Sequence, residues 1–449
     1  MNTMRTGNEN GAAANDAPEP FSDSVILLVV ALYAAAFVVF GFVVDTPAAI
    51  ARGLLAIVTS RDTLLTDYFG VGGIGAGCVN AGLLTLASCL VYWRAHAKMT
   101  GAAVACLFLV LGFGLFGKNL LNIWPIILGV FLYSKFRGEP FATNINVAFF
   151  GAALAPVVSE ILFSTSLSLV VSLPLALGTG LLMGFILVPA AAQLFKAHMG
   201  FTLYNMGFTA GLVGVLVVAL YKSYGFVPDP VFIWTTGNNV LFAYFLTILF
   251  ASMIGLGFHW DKALVSREKA IVSTSGQSPT DFIALAGFGP ALANMGLCGA
   301  IGMIYILIVG GELNGPVIGA IFTIVGFAAF GKHPRNIIPI MAGVFLGSLA
   351  KPWSAGDPSI LLAALFATTL APIAGRFGWH WGIVAGFVHS SAALSVGPVH
   401  AGLNLYNNGF AAGIVASVLV PVIVAIQSRM NPENDPGKPE VGPGIKKDE

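Results

Sequence analysis

Two lysines stand inside apolar sequence, and each keeps the same company. Lys118 follows Gly117, with Asn122 four residues on and Pro125 three beyond that; Lys332 follows Gly331, with Asn336 and Pro339 at the same distances. Asparagine accepts hydrogen bonds from the first amides of a new helix, and proline is tolerated in a helix's first turn. Each stretch therefore reads as one helix ending near Gly117 or Gly331 and another starting near Asn122 or Asn336. A break at membrane depth must line a cavity or lie buried in protein, because its freed backbone groups need partners. A fresh helix N-terminus beside a lysine favours an anionic or strongly dipolar ligand. The plainer alternative places both lysines in surface loops, after spans of about 16 residues that are short but sufficient to cross.

A second constellation repeats as Leu-Tyr-Asn-x-Gly-Phe at 203–208 and 405–410, preceded by His198 and His400. Tyr204, Asn205, Tyr406 and Asn407 offer donors and acceptors to a polar solute, or alternatively hydrogen bonds between helices. Gly200, Gly207 and Gly211, with Gly402, Gly409 and Gly413, would let two helices approach closely. Asn80 and Asn294 lie within apolar runs, where amides need partners, and are candidates to line a pathway. Asp67 and Asp281 precede the same runs and read as helix caps at the surface. Glu160 and Arg376 occupy corresponding places after Pro156 and Pro372 and suggest an ion pair between halves.

Other chemistries find little support. His380, His389 and His400 are too widely spaced for one short helical face, and the four cysteines sit singly in apolar sequence, so no metal or cofactor is expected. Walker, G-x-S-x-G and HExxH signatures are missing, so the chain does not read as an enzyme or as an ATP-driven pump by itself. A net charge of +1 and the lack of a basic arm point away from nucleic acid.

The elements that must position these residues are membrane helices. Charged residues make up 9% of the chain and hydrophobic ones 57%, against about 25% charged in an average soluble domain. Uncharged runs such as 68–93, 197–221 and 377–428 reach or exceed one crossing of about 20 residues. They are too long for β-barrel strands. The fold class is all-α, a polytopic transmembrane bundle partnered by the lipid bilayer.

The bundle is duplicated. Gly112 to Phe131 returns as Gly326 to Phe345, with twelve of twenty positions identical at an offset of 214. The Tyr-Asn block returns at an offset of 202, so the first half holds about a dozen extra residues, placed within 161–180. The halves are 21–226 and 231–428, joined by Val227–Pro230, between polar disordered tails at 1–20 and 429–449. Counting interrupted stretches as one or two crossings gives 10–14 membrane segments. Arg94, His96 and Lys98 face Glu312 at the equivalent loop, the opposite bias that inverted repeats require; Lys222 and Arg429 follow equivalent helices with like charge and argue the other way. The inverted arrangement, with interrupted helices, is the expectation.

The paired Gly-Lys-x-x-x-Asn-Ile-x-Pro-Ile blocks (117–126 and 331–340) and the paired Tyr-Asn blocks resemble the domain-of-unknown-function 1576 family of bacterial membrane proteins, whose members carry the domain twice. The resemblance spans about 21–428 and implies a multi-pass protein of the bacterial inner membrane. The architecture is more loosely similar to urea-transporter-like channels, without their Leu-Pro-x-x-Thr-x-Pro-Phe block. Together these features lead to a channel or secondary transporter for a small polar or anionic solute. Its pathway would lie between the repeats, near Lys118, Lys332, Asn122, Asn336, Asn205 and Asn407, in a chain compatible with homo-oligomers. The rival is a non-transporting assembly subunit or membrane-embedded enzyme component.

Overall fold

The computed structural model describes residues 21–164, 167–228 and 231–430. The tails at 1–20 and 431–449, and residues 229–230 of the joint, lie outside the described residues. The first half holds α1 (Asp23–Val44), α2 (Pro47–Val58), α3 (Tyr68–Gly72), α4 (Ile74–Arg94), α5 (Gly101–Phe113), α6 (Trp124–Arg137), α7 (Phe141–Gly151), α8 (Ala155–Phe163), α9 (Leu169–His198) and α10 (Asn205–Ser223). The second holds α11 (Asn239–Trp260), α12 (Leu264–Ser273), α13 (Phe282–Ala286), α14 (Phe288–Ile308), α15 (Gly315–Phe327), α16 (Pro334–Ala350), α17 (Pro358–Phe366), α18 (Ala371–Phe377), α19 (Trp379–Val396) and α20 (Asn407–Met430). Each helix of the first half has its counterpart ten places later. The last helix ends at Met430, two residues past 428.

Local chemistry starts these helices where they start. Ser22, Thr46 and Thr100 accept from backbone amides three residues on, and Asn314 does so for α15. Pro156 and Pro372 explain a further break. Each removes an N–H and crowds the carbonyl four residues back, and a 3-10 turn separates α7 from α8 (Ala152–Leu154) and α17 from α18 (Ala367–Leu370).

Among the described residues, ten stretches are long and apolar enough to cross a membrane: α1, α4, α7–α8, α9, α10 and their counterparts. The interrupted stretches around Lys118 and Lys332 are different. Helices α5 and α15 have only 13 residues each. The contacts of α7–α8 show how the chain runs there. Asn146 of α7 meets Cys106 of α5 (3.7 Å) and, further along, the Phe149 carbonyl meets Lys118 (3.4 Å). Against α6 the order reverses, since Ser159 meets Asn122 (3.1 Å) while Asn144 meets Ser134 (3.1 Å). So α5 runs beside α7–α8 in the same direction and α6 runs back. The lysine sits at the tip of a helical hairpin, between the helix end and the helix start that the sequence placed there.

Two pairs of equivalent helices, α1 with α11 and α5 with α15, pack antiparallel. Tyr33 of α1 bonds Ser252 of α11 (3.0 Å), and Phe37 and Phe40 meet Phe245 and Phe242. On α5 and α15, Gly112 lies against Gly319 and Ala105 against Gly326, so residue numbers rise on one helix as they fall on the other. A Cβ on Gly112 would come within 2.6 Å of the Gly319 carbonyl oxygen, which is why glycine holds this crossing. Helices α10 and α20 cross where Gly207 meets Gly409.

The aspartates do more than cap. Asp67 and Asp281 cap α3 and α13 as expected. Asp67 is fully buried, however, and takes the Thr235 amide (3.1 Å), while Asp281 takes the Gly101 amide at the start of α5 (3.1 Å). Each ties its own half to the other, which a surface cap cannot do. Glu160 pairs with Arg61 of its own half at 3.1 Å, not with Arg376. The proline break sets the end of α8 beside the loop after α2.

Candidate functional site

The two hairpin tips are assembled from backbone outward. Asn80 of α4 donates to the Gly114 carbonyl (2.7 Å) and the Lys118 carbonyl (3.0 Å); Asn294 of α14 does the same for Ala328 (2.7 Å) and Lys332 (2.8 Å). These amides satisfy carbonyls that α5 and α15 leave open at their ends. Asn80 and Asn294 therefore support the tips.

Asn122 and Asn336 close the tips in the same spirit. Asn122 Oδ1 accepts from the Asn119 amide (2.9 Å) and its Nδ2 donates to the Gly117 carbonyl (3.1 Å). Asn336 Oδ1 accepts from the His333 amide (2.9 Å) and its Nδ2 donates to the Gly331 carbonyl (2.9 Å). Helix α16 begins earlier than expected, at Pro334, which leaves Pro339 inside it.

Lys118 and Lys332 are both fully buried. Each reaches a tyrosine of the other half. Lys118 Nζ donates to the hydroxyl of Tyr406 and, at 3.4 Å, to the Phe149 carbonyl. Lys332 Nζ donates to the hydroxyl of Tyr204 and, at 2.8 Å, to Thr368 Oγ1. Aromatic rings flank both ammonium groups: Phe113 and Tyr406 lie 5.4 and 4.8 Å from Lys118, and Tyr204 and Phe327 lie 4.5 and 5.4 Å from Lys332. Ring faces attract a desolvated cation.

The tyrosines are held by the helix breaks. They end the loops before α10 and α20, where Met199 and Gly200, and Ala401 and Gly402, turn in the left-handed region. Leu203 N donates to the Thr369 carbonyl and Leu405 N to the Ala153 carbonyl, each at 3.0 Å. Carbonyls in one half's interrupted helix are thus satisfied by the other half's tyrosine loop. Asn205 and Asn407 serve these loops. Asn205 bridges His198 Nε2 (2.9 Å) and the Ala191 carbonyl (3.2 Å), and Asn407 bridges His400 Nε2 (3.0 Å) and the Ala393 carbonyl (2.8 Å).

A cavity of about 210 Å³ lies between the halves, walled by Tyr204, Tyr406, Phe113, Phe327 and Phe366 among others. It extends past Ser278 and Phe195 toward one end of the bundle. A smaller cavity of about 110 Å³ abuts it through Phe366, Leu405 and Asn408 and extends past Leu64 and Gly397, the counterparts of Ser278 and Phe195. The walls carry the tyrosines, with the lysines behind them.

Of the ten residues singled out from the sequence, the structure brings Lys118, Lys332, Tyr204 and Tyr406 together, with Asn205 at the cavity edge. Asn407 borders the smaller cavity. Asn80, Asn294, Asn122 and Asn336 form the scaffold beneath. The residues missed were Phe113 and Phe327, although both are identical positions of the duplicated block. No group of histidine, cysteine or acidic residues that could hold a metal occurs among the described residues.

No curated protein and no solved structure matches the chain, so the looser likeness to urea-transporter-like channels gains no support. A family model described as "Protein of unknown function (DUF1576)" matches residues 46–223 and again 261–425. Those two matches cover α2 to α10 and α12 to most of α20, helix for helix the same unit twice, and the chain belongs to that family.

Proposed function

We propose that this protein is a channel or secondary transporter for a small polar or anionic solute, which travels through the cavity between the halves. The observation that carries the reading is the pair of crossed lysine–tyrosine contacts, one from each hairpin tip, flanking that cavity. A buried lysine is expensive in a bilayer interior, and ionisable groups there are functional candidates by default. Each lysine presents its charge through a tyrosine hydroxyl, so an oxyanion or strong dipole in the cavity would meet polarised O–H donors. The aromatic walls suit a solute with an apolar portion.

The same proposal includes inverted repeats. Five crossings per half is an odd number, and the antiparallel packing of α1 with α11 and of α5 with α15 is what inversion produces. The hairpins would then be re-entrant, one from each side. Arg94, Lys98, Lys135, Arg137, Lys262, Lys269 and Arg376 gather at the end of the bundle where α4, α6, α11 and α18 finish. That end is the cytoplasmic one by the positive-inside rule.

A flux screen in proteoliposomes tests the function. We expect one class of small anion or polar solute to move faster than through empty liposomes, and the rate to fall at least tenfold in Lys118→Ala/Lys332→Ala. A folded protein that moves no solute of either class would return the rival, a non-transporting membrane subunit.

A further inference from the structure

The halves match lysine for lysine and tyrosine for tyrosine, yet they differ beneath the hairpin tips. Under the first tip lies Asp62, with no exposure to solvent. Its Oδ1 accepts from the Tyr68 hydroxyl (2.9 Å), and its Oδ2 from Ser159 Oγ (2.8 Å), Asn122 Nδ2 (3.0 Å) and Asn119 Nδ2 (3.2 Å). The Arg61–Glu160 pair lies beside it, from its own loop and from α8. In the second half Gly276 takes the place of Asp62, Phe282 of Tyr68, His333 of Asn119, and Gly375 of Ser159.

Holding a tip does not require that carboxylate. The second tip is tied to the corresponding loop by neutral contacts, His333 Nε2 with the Thr274 carbonyl (3.1 Å) and Asn336 Nδ2 with the Ser275 carbonyl (3.5 Å). A buried acid costs more than these neutral ties, because its charged form loses water. Its presence in one half alone calls for something that a glycine and a histidine cannot do.

The geometry also says which ligand suits the site. Asn119 Oδ1 is held by the Leu121 and Asn122 amides (2.9 and 3.0 Å), and Asn122 Oδ1 by the Asn119 amide (2.9 Å). Those backbone donors fix both side-chain amides, so that their NH₂ groups must face Asp62. Two fixed N–H donors repel a metal cation. The Tyr68 and Ser159 hydroxyls, by contrast, can rotate to accept, so a proton on either carboxylate oxygen finds a partner.

We propose that Asp62 is a proton-binding site, and that one proton taken up there loosens the first hairpin tip. The step is a simple transfer: a hydronium ion gives its proton to one oxygen of Asp62 and leaves as water, and the hydroxyl beside that oxygen turns to accept from the new O–H. The two amides then point at a neutral acid, and hydrogen bonds to a neutral acceptor are about half as strong as those to a charged one. Asn122 is the link onward, since its Nδ2 also holds the Gly117 carbonyl next to Lys118. The proposal rests on the transporter reading and makes the transport proton-coupled.

Infrared difference spectroscopy of the full chain in lipid nanodiscs, between acidic and alkaline pH, tests the site without any transport. A carboxylic-acid carbonyl band should titrate in the wild type and in Glu160→Gln and be absent from Asp62→Asn. Should Asp62→Asn not fold, Asp62→Glu should move the band without abolishing it. A wild type with no such band, or one unchanged in the Asp62 variants, overturns the proposal and shows Asp62 to be a permanently ionised anchor, whatever the flux screen finds. With a transported solute in hand, an inward proton gradient should raise wild-type uptake several-fold and leave Asp62→Asn unaffected; dependence on sodium in place of protons also overturns it.

Discussion

At the scale of single residues, polar groups near the lysines divide into those that build the tips and those that face the cavity. Asn80 and Asn294 belong to the first group, because each donates to two carbonyls at the end of a short helix. Asn80→Ala or Asn294→Ala should therefore lower stability by about 1–3 kcal/mol, the usual cost of stranding buried acceptors. Thermal unfolding in detergent measures that loss, and the preference among transported solutes should stay as in the wild type. A changed preference with unchanged stability would put the asparagines back on the pathway. Tyr406 belongs to the second group, with Lys118 bonded to it from behind the wall. Because they touch, Lys118→Met and Tyr406→Phe should be strongly non-additive in transport rate, and the double variant should be little worse than the worse single one. Fully additive losses would mean that the lysine acts on the solute without the tyrosine.

At the scale of elements, the close helix crossings set how the halves meet. A Cβ on Gly112 would approach the Gly319 carbonyl oxygen at 2.6 Å, and one on Gly319 would approach the Gly112 carbonyl oxygen at 2.5 Å. Gly112→Ala should push α5 and α15 apart, lowering stability by about 1–3 kcal/mol as overpacking does. Gly112→Ala with Gly319→Ala should cost less than the two losses added, since the first change already opens the space. Calorimetry or thermal unfolding of the three variants checks this. The duplication behind such crossings was legible in sequence, because identity at a constant offset needs no structure to be seen. The hairpin was not, because its return direction is fixed by contacts such as Asn144 with Ser134, and nothing in 117–126 encodes them. The crossed pairs were hidden for a related reason. Lys118 and Tyr406 are 288 residues apart, and a repeat offset relates equivalent residues without saying which of them touch.

At the scale of the whole molecule, charge and packing make one joint statement about how the chain sits in lipid. The sequence offered conflicting loops: Arg94 and Lys98 against Glu312 favoured inversion, while Lys222 and Arg429 ended equivalent helices with like charge. The packing supports the proposed inversion where the loops disagree, since α1 and α11 meet along antiparallel faces through Tyr33 and Ser252. Lys222, with Arg52, Arg61 and Lys351 at its end of the bundle, is then outweighed by the larger cluster at the opposite end, and the rule counts the sum over short loops. Lys98 and Glu312 are equivalent positions at an offset of 214, and the proposed inversion would put them on opposite sides. The four native cysteines are buried, so introduced thiols can be read against a quiet background. In intact cells, Lys98→Cys should resist a membrane-impermeant maleimide until the membrane is opened, whereas Glu312→Cys should react from outside. Labelling of both from one side would make the repeats parallel, and the two hairpin tips could not then approach the cavity from opposite faces.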